Sequence, residues 1–177
     1  METKYKKGLI GEKYIAEKIS ELGYKVLYVG GCQLYSITGE KYYSVDLEPF
    51  GKGKTFWVQA KYKEPRKYYP DTGMELWRYQ NLIKHQKESG LKVLVLFTEN
   101  SKKIYGEWLD NLPNCLSTYG GIVNKQTGDT MIYWLCEKLK NYKEILEKLT
   151  KEELASEIIR ETKIYEEESG LLEEDKI

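Results

Sequence analysis

The chain is short of the residues that most often carry enzymatic chemistry. Its 177 residues include a single histidine, His85, so a Ser-His-Asp triad or a histidine-rich metal centre has little to draw on. His85 itself reads as an exposed helix residue. The three cysteines, Cys32, Cys115 and Cys136, are far apart, odd in number and without any Cys-x-x-Cys spacing. That excludes an obvious disulfide framework or zinc site and predicts reduced, mostly buried thiols. No apolar run approaches the roughly 18 residues of a membrane span, and the charged start METKYKK is not followed by the apolar stretch of a signal peptide. The expectation is a soluble, cytoplasmic protein with no membrane partner and no organic cofactor.

Net charge is absent too, since 28 Lys and Arg balance 28 Asp and Glu. The balance hides an asymmetry. Residues 1–103 hold 19 basic and 12 acidic side chains, net +7, whereas residues 104–177 hold 9 and 16, net −7. A basic front can attract a polyanion while the whole chain stays near neutrality.

Helical periodicity (Leu9, Ile10, Tyr14, Ile15, Ile19, Leu22) predicts a first helix over Lys4–Leu22, closed by Gly23. Strands are expected at Tyr24–Val29 and Tyr42–Glu48, with an undecided connection between them over Cys32–Lys41. Gly51-Lys52-Gly53 supplies a turn into a third strand, Lys54–Lys63, antiparallel to the second. After a loop over Glu64–Gly73, a helix over Met74–Ser89 would turn Leu76, Tyr79, Leu82 and Ile83 inward, and Gly90 ends it. Leu91–Thr98 is apolar enough for a central buried strand. Beyond it, Lys103–Leu112 reads as helical, Tyr119–Val123 and Met131–Leu135 as a hairpin, and the capping box at Thr150 as the start of a polar helix to about Glu168. The expected organisation is a core over 1–103 and an extension over 104–177, packed on it or continuous with it.

The third strand raises a chemical question. Alternation gives Phe56, Val58, Ala60 and Tyr62 one face, and Thr55, Trp57, Gln59 and Lys61 the other. In the second strand Ser44, Asp46 and Glu48 share a face, so a hairpin would bring Asp46 and Glu48 beside Gln59 and Lys61. Carboxylates and an amide oxygen are hard ligands suited to magnesium. A nearby lysine can stabilise charge as water attacks phosphorus. On the first helix, Gly8-Leu-Ile-Gly11-Glu12 would let two glycines approach the sheet and turn the Glu12 carboxylate inward.

In this order of motifs, with twelve residues separating Asp46 from Gln59-Ala-Lys61, residues 8–98 resemble the PD-(D/E)XK nuclease superfamily, especially archaeal Holliday junction resolvases and restriction-like endonucleases. The resemblance implies an α/β fold: a restriction-endonuclease-like αβββαβ core, its mixed central sheet flanked by helices, followed here by a C-terminal α-helical extension. It implies a Mg²⁺- or Mn²⁺-dependent DNA endonuclease in which Asp46 ligates metal, Gln59 stands where the family has Glu or Asp, the Ala60 carbonyl faces the metal and Lys61 is the catalytic lysine. Glu12 and Glu48 are candidates to replace the missing acid. Val45 takes the place of the motif's proline. DNA is the expected partner, and a symmetric homodimer is implied by the resemblance. The cations Lys52, Lys54, Lys63, Arg66 and Lys67, interleaved with Tyr68 and Tyr69, would meet phosphates and bases, with Arg78 and Gln80 on the following helix. The rival is a regulatory or nucleic-acid-binding module of the same fold that lost catalysis with the acid at position 59.

Overall fold

The computed structural model describes residues 4–30, 33–35, 41–43, 45–64, 66–100, 102–118 and 128–149. The first helix, α1 (Lys4–Glu21), buries Gly11, Ile15, Ala16 and Ile19, which recur at three- and four-residue spacing. Leu9 and Ile10 were expected on this stripe but are 46% and 42% exposed, because they lie well round the helix from Gly11 and Ile15. Gly23, at φ 89°, takes the left-handed conformation that lets the chain leave α1.

The strands follow in order: β1 (Lys25–Tyr28), β2 (Gln33–Tyr35), β3 (Lys41–Tyr43), β4 (Leu47–Gly51), β5 (Lys54–Thr55), β6 (Trp57–Lys63) and β7 (Asp71–Glu75). After α2 (Leu76–Ser89) come β8 (Val93–Glu99), β9 (Lys103–Trp108), β10 (Met131–Leu135) and β11 (Lys140–Asn141). Among the described residues a seven-stranded sheet runs in the order β1-β4-β6-β8-β9-β11, with β5 paired to β4. Only β6 and β8 are parallel neighbours within it, and α2 lies in the connection between them. Lys52 and Gly53, both at positive φ, make the two-residue turn between β4 and β5.

Both faces of the middle strands are covered. Val58, Ala60 and Tyr62 align with Leu94, Leu96 and Thr98 on the face that meets α1, where Gly11 sits against Tyr62 and Thr98. On the other face Val93, Val95 and Phe97 join Met74, Leu82, Leu112 and Trp134 in a buried cluster. Val93 to Phe97 are fully buried, as the apolar run predicts for a central strand.

Several expectations are corrected. Lys103–Trp108 is a strand, not a helix: Ile104, Gly106 and Glu107 are buried and its whole length pairs with β8. Close packing requires a glycine there, since a Cβ on Gly106 would stand 1.9 Å from the Val95 carbonyl oxygen. Asp71–Glu75 is extended and pairs with β10, so α2 starts at Leu76 and Met131–Leu135 has a strand partner far back in the chain; the expected partner Tyr119–Val123 lies outside the described residues. Ile83 is 45% exposed while Leu82 carries the inward face. His85 is half-buried, its ring 5.2 Å from that of Trp57. Cys115 is buried and Cys136 half-buried, both free thiols; Cys32 lies outside the described residues.

The chain divides into one unit over Met1–Tyr142 and a second over Lys143–Ile177. Strands β9 and β11, which follow the expected boundary at 103, hydrogen-bond into the central sheet. In the second unit residues 143–149 are helical; the capping box at Thr150 and the helix expected from it lie outside the described residues. No helix among the described residues is long and apolar enough to cross a membrane.

Candidate active site

Asp46 is held at a break in the sheet. Its backbone N–H donates to the Val58 carbonyl at 3.0 Å, and its carbonyl accepts the N–H groups of Val29 and Gly30, each at 3.0 Å. The predicted continuous strand over Tyr42–Glu48 is therefore interrupted: β3 pairs with β2 in a small separate sheet, and β4 starts only at Leu47. Pairing between β4 and β6 is confined to Leu47 opposite Val58. Past that point the edge of β6 opens, and the Ala60 N–H donates to Asp46 Oδ2 at 2.8 Å instead of to a strand.

Gln59, only 1% exposed, donates from its amide Nε2 to the same Asp46 oxygen. An ionised carboxylate can only accept, so the amide must present its NH₂ there. Gln59 thus holds Asp46 as a hydrogen-bond donor. Its Nε2 also lies 3.4 Å from the Ala60 carbonyl oxygen.

A cleft of about 440 Å³ opens at this break, lined by Asp46, Glu12, Ala60, Lys61, Lys63, Glu75 and Arg78 among others. Glu12 reaches it because α1 lies close on β6 at Gly11, whose missing side chain would stand 2.9 Å from Tyr62 Cβ. Gly8 has open space around it and plays no part in that approach. Lys61 Nζ lies 3.3 Å from Glu75 Oε2, and Arg78 Nε lies 3.8 Å from the same oxygen.

Burial shapes the electrostatics. It raises the Glu12 carboxyl to about 7, helped by the charge of Asp46 and opposed by Lys61 and Arg78. Burial also raises Asp46, against the Ala60 N–H, Lys61, Arg78 and Gln59. The Lys61 ammonium falls to about 8, first through burial and then through the Arg78 charge, with Glu75 opposing. Burial likewise lowers Lys63. For Glu75 burial acts upward, but Lys61, its own backbone N–H, Arg78 and Lys63 together outweigh it and hold the group below the usual carboxylate range.

Of the residues singled out from sequence, the cleft gathers Glu12, Asp46, Ala60, Lys61, Lys63 and Arg78, with Gln59 buried directly behind Asp46. Glu48 is not among its lining residues. In the antiparallel register it advances towards Trp57, away from Lys61, and lies opposite Leu27. Lys52 and Lys54 sit at the turn end of the hairpin, and Lys52 Nζ donates to the Leu22 carbonyl at the end of α1, 2.5 Å away. Arg66 is taken up by buried Asp71 at 2.8 Å, and its guanidinium lies over the rings of Tyr69 and Tyr133 at 4.5 and 4.2 Å. Lys67 and Tyr68 are exposed and pair with each other, and Gln80 is an exposed α2 residue outside the cleft. Sequence reasoning missed Glu75. Its signal was faint: an acid beside Met74, in a segment read as the first turn of a helix.

The donor set suits a hard divalent cation. Among the described residues no cluster of three or more His, Cys, Asp or Glu side chains comes together. Two carboxylates, Asp46 and Glu12, do share the cleft, and the charge of one raises the pKa of the other, a repulsion that a cation relieves. Magnesium needs few protein ligands and keeps its waters.

The fold defines the class of protein: a mixed α/β chain with a restriction-endonuclease-like core, its mixed sheet flanked by helices. Among the solved structures it is similar to is Hjc of Archaeoglobus fulgidus, a Holliday junction resolvase from an archaeal hyperthermophile, with a TM-score of 0.54 and 9% sequence identity over 78% of this chain and 94% of that one. No protein-family model and no curated protein matches the chain.

Proposed function

We propose that the protein is a divalent-metal-dependent DNA endonuclease acting on branched or junction DNA in the manner of the resolvase whose fold it shares. One observation carries the reading: two carboxylates, Asp46 and Glu12, and a half-buried lysine, Lys61, converge in one cleft at the break between β4 and β6. In this reading Asp46, Glu12 and the Ala60 carbonyl would hold Mg²⁺ or Mn²⁺, and Gln59 keeps Asp46 oriented. The bound cation supplies Lewis-acid polarisation of a phosphate oxygen and an acidified water. Lys61 stabilises the negative charge that develops at phosphorus. Lys63 and Arg78 meet neighbouring phosphates, and a symmetric dimer would present two such sites to two strands.

The test is cleavage of labelled linear duplex, single-stranded, flap and four-way-junction DNA with Mg²⁺ or Mn²⁺ and with EDTA. Metal-dependent products that vanish in Asp46→Asn and in Lys61→Ala are expected, at a loss of roughly 10²-fold or more. Equal cutting by either folded variant sinks the assignment.

A second reading rests on Gln59. An amide donor stands where the superfamily's motif carries an acid, and the site has one negative charge fewer for holding metal. A binding module without catalysis predicts salt-sensitive, metal-independent association with the same DNA panel and no products under any metal.

A further inference from the structure

Glu75 is the last residue of β7 and stands at the N-cap of α2, at φ −63° and ψ 132°, yet its side chain makes no cap hydrogen bond. Asp, Ser, Thr and Asn at such a position ordinarily satisfy the helix's first N–H groups. Here the carboxylate turns instead to the cleft, with one oxygen, Oε2, between Lys61 Nζ at 3.3 Å and Arg78 Nε at 3.8 Å. Arg78 Nε is buried and has no hydrogen-bond partner in this arrangement, so the pairing is electrostatic and leaves a donor unmet. The charge of Lys63 acts on Glu75 as well. One carboxylate thus lies beside two cations and feels the charge of a third, and all of them line the cleft together with Glu12 and Asp46.

Resting on the nuclease reading of this cleft, we infer that Glu75 is a positioning residue that occupies, between Lys61 and Arg78, the place taken by a phosphate of the bound nucleic acid. A phosphate brings several acceptor oxygens to a wall whose donors one carboxylate cannot all satisfy. Before substrate binds, Glu75 keeps two half-buried cations compensated and Lys61 beside the site. When a phosphate arrives it displaces or crowds that carboxylate, so Glu75 weakens binding while holding Lys61 for the chemical step.

The experiment is metal-free binding of a labelled four-way junction in EDTA by the full chain, the Glu75→Gln variant and the Glu75→Asp variant, with thermal melting to confirm folding. Removing the competing charge should tighten binding about three- to tenfold and steepen the salt dependence by roughly one. Glu75→Asp keeps the charge and should bind as the parent does. With Mg²⁺, Glu75→Gln should lower kcat while KM falls, a split that a merely structural role, which weakens both together, does not give. Unchanged or weaker binding by folded Glu75→Gln overturns the inference, even if the parent cuts DNA and the proposed function stands. If the parent neither binds nor cuts DNA, the nuclease reading fails, and inorganic phosphate becomes the probe: tighter phosphate binding by Glu75→Gln upholds the placeholder role and equal binding ends it.

Discussion

At the scale of the residue, the site depends on what surrounds each charged group. Gln59 donates to Asp46 from a position 1% exposed, so Gln59→Glu would set two carboxylates against each other. We expect the metal-free variant to be less stable by about 1–3 kcal/mol. Mg²⁺ or Mn²⁺ should raise its melting temperature more than the parent's, because the added acid supplies a ligand that the cation neutralises. Equal metal-induced shifts in the two proteins count against a cation at this position. Glu12 gives a pH test. Its pKa in the folded chain is raised from 4.5 to about 7, so between those values the folded state holds more protons than the unfolded state and stability falls as pH rises. Glu12→Gln stays neutral throughout. It should therefore melt higher than the parent at pH 8 without metal, and the gap should close towards pH 4.5, which melting curves across that range will check.

At the scale of the element, the geometry of the candidate site rests on how closely α1 lies against β6. A Cβ at position 11 would stand 2.9 Å from Tyr62 Cβ and 3.3 Å from Thr98 Cγ2, and both neighbours belong to packed strands. Gly11→Ala should push α1 away, cost about 1–3 kcal/mol in denaturant unfolding, and reduce cleavage further than stability alone explains, since Glu12 is the next residue. A variant as stable and as active as the parent shows that the helix does not set the site. The strand-level alternation in β6 was legible from sequence; the register was not. Sliding Glu48 towards Trp57 rather than Lys61 follows from pairing Leu47 with Val58, and no local pattern in Leu47–Gly51 announces that choice. Lys103–Trp108 was misread for a related reason: Ile104, Trp108 and Leu109 fit helical spacing, and only the partner strand β8 makes the segment extended.

At the scale of the whole molecule, the basic half of the sequence does not form one uniform binding face. Lys63 and Arg78 enter the cleft, whereas Lys52 serves the end of α1 and Arg66 clamps buried Asp71. Lys63→Ala should thus weaken metal-free DNA binding several-fold and lower the salt slope by roughly one, while Lys52→Ala leaves the slope unchanged. Salt titrations of the two variants decide this, and a matching loss in both would return the interface to the hairpin turn.

By itself the sequence determined the elements that periodicity encodes: α1, most of α2, β6 and the apolar strand β8, together with Asp46, Lys61 and Glu12 as residues to watch. Those signals are local, because burial on one face of a helix or strand repeats with a fixed period. The tertiary structure decided what depends on distant partners. It broke the predicted strand at Asp46, made Gln59 a donor to that carboxylate, moved Glu48 and Lys52 away from the cleft and brought Glu75 into it. Each of these follows from register and from which carbonyl or carboxylate a buried N–H or ammonium finds, and such partners lie 13 to 30 residues away along the chain.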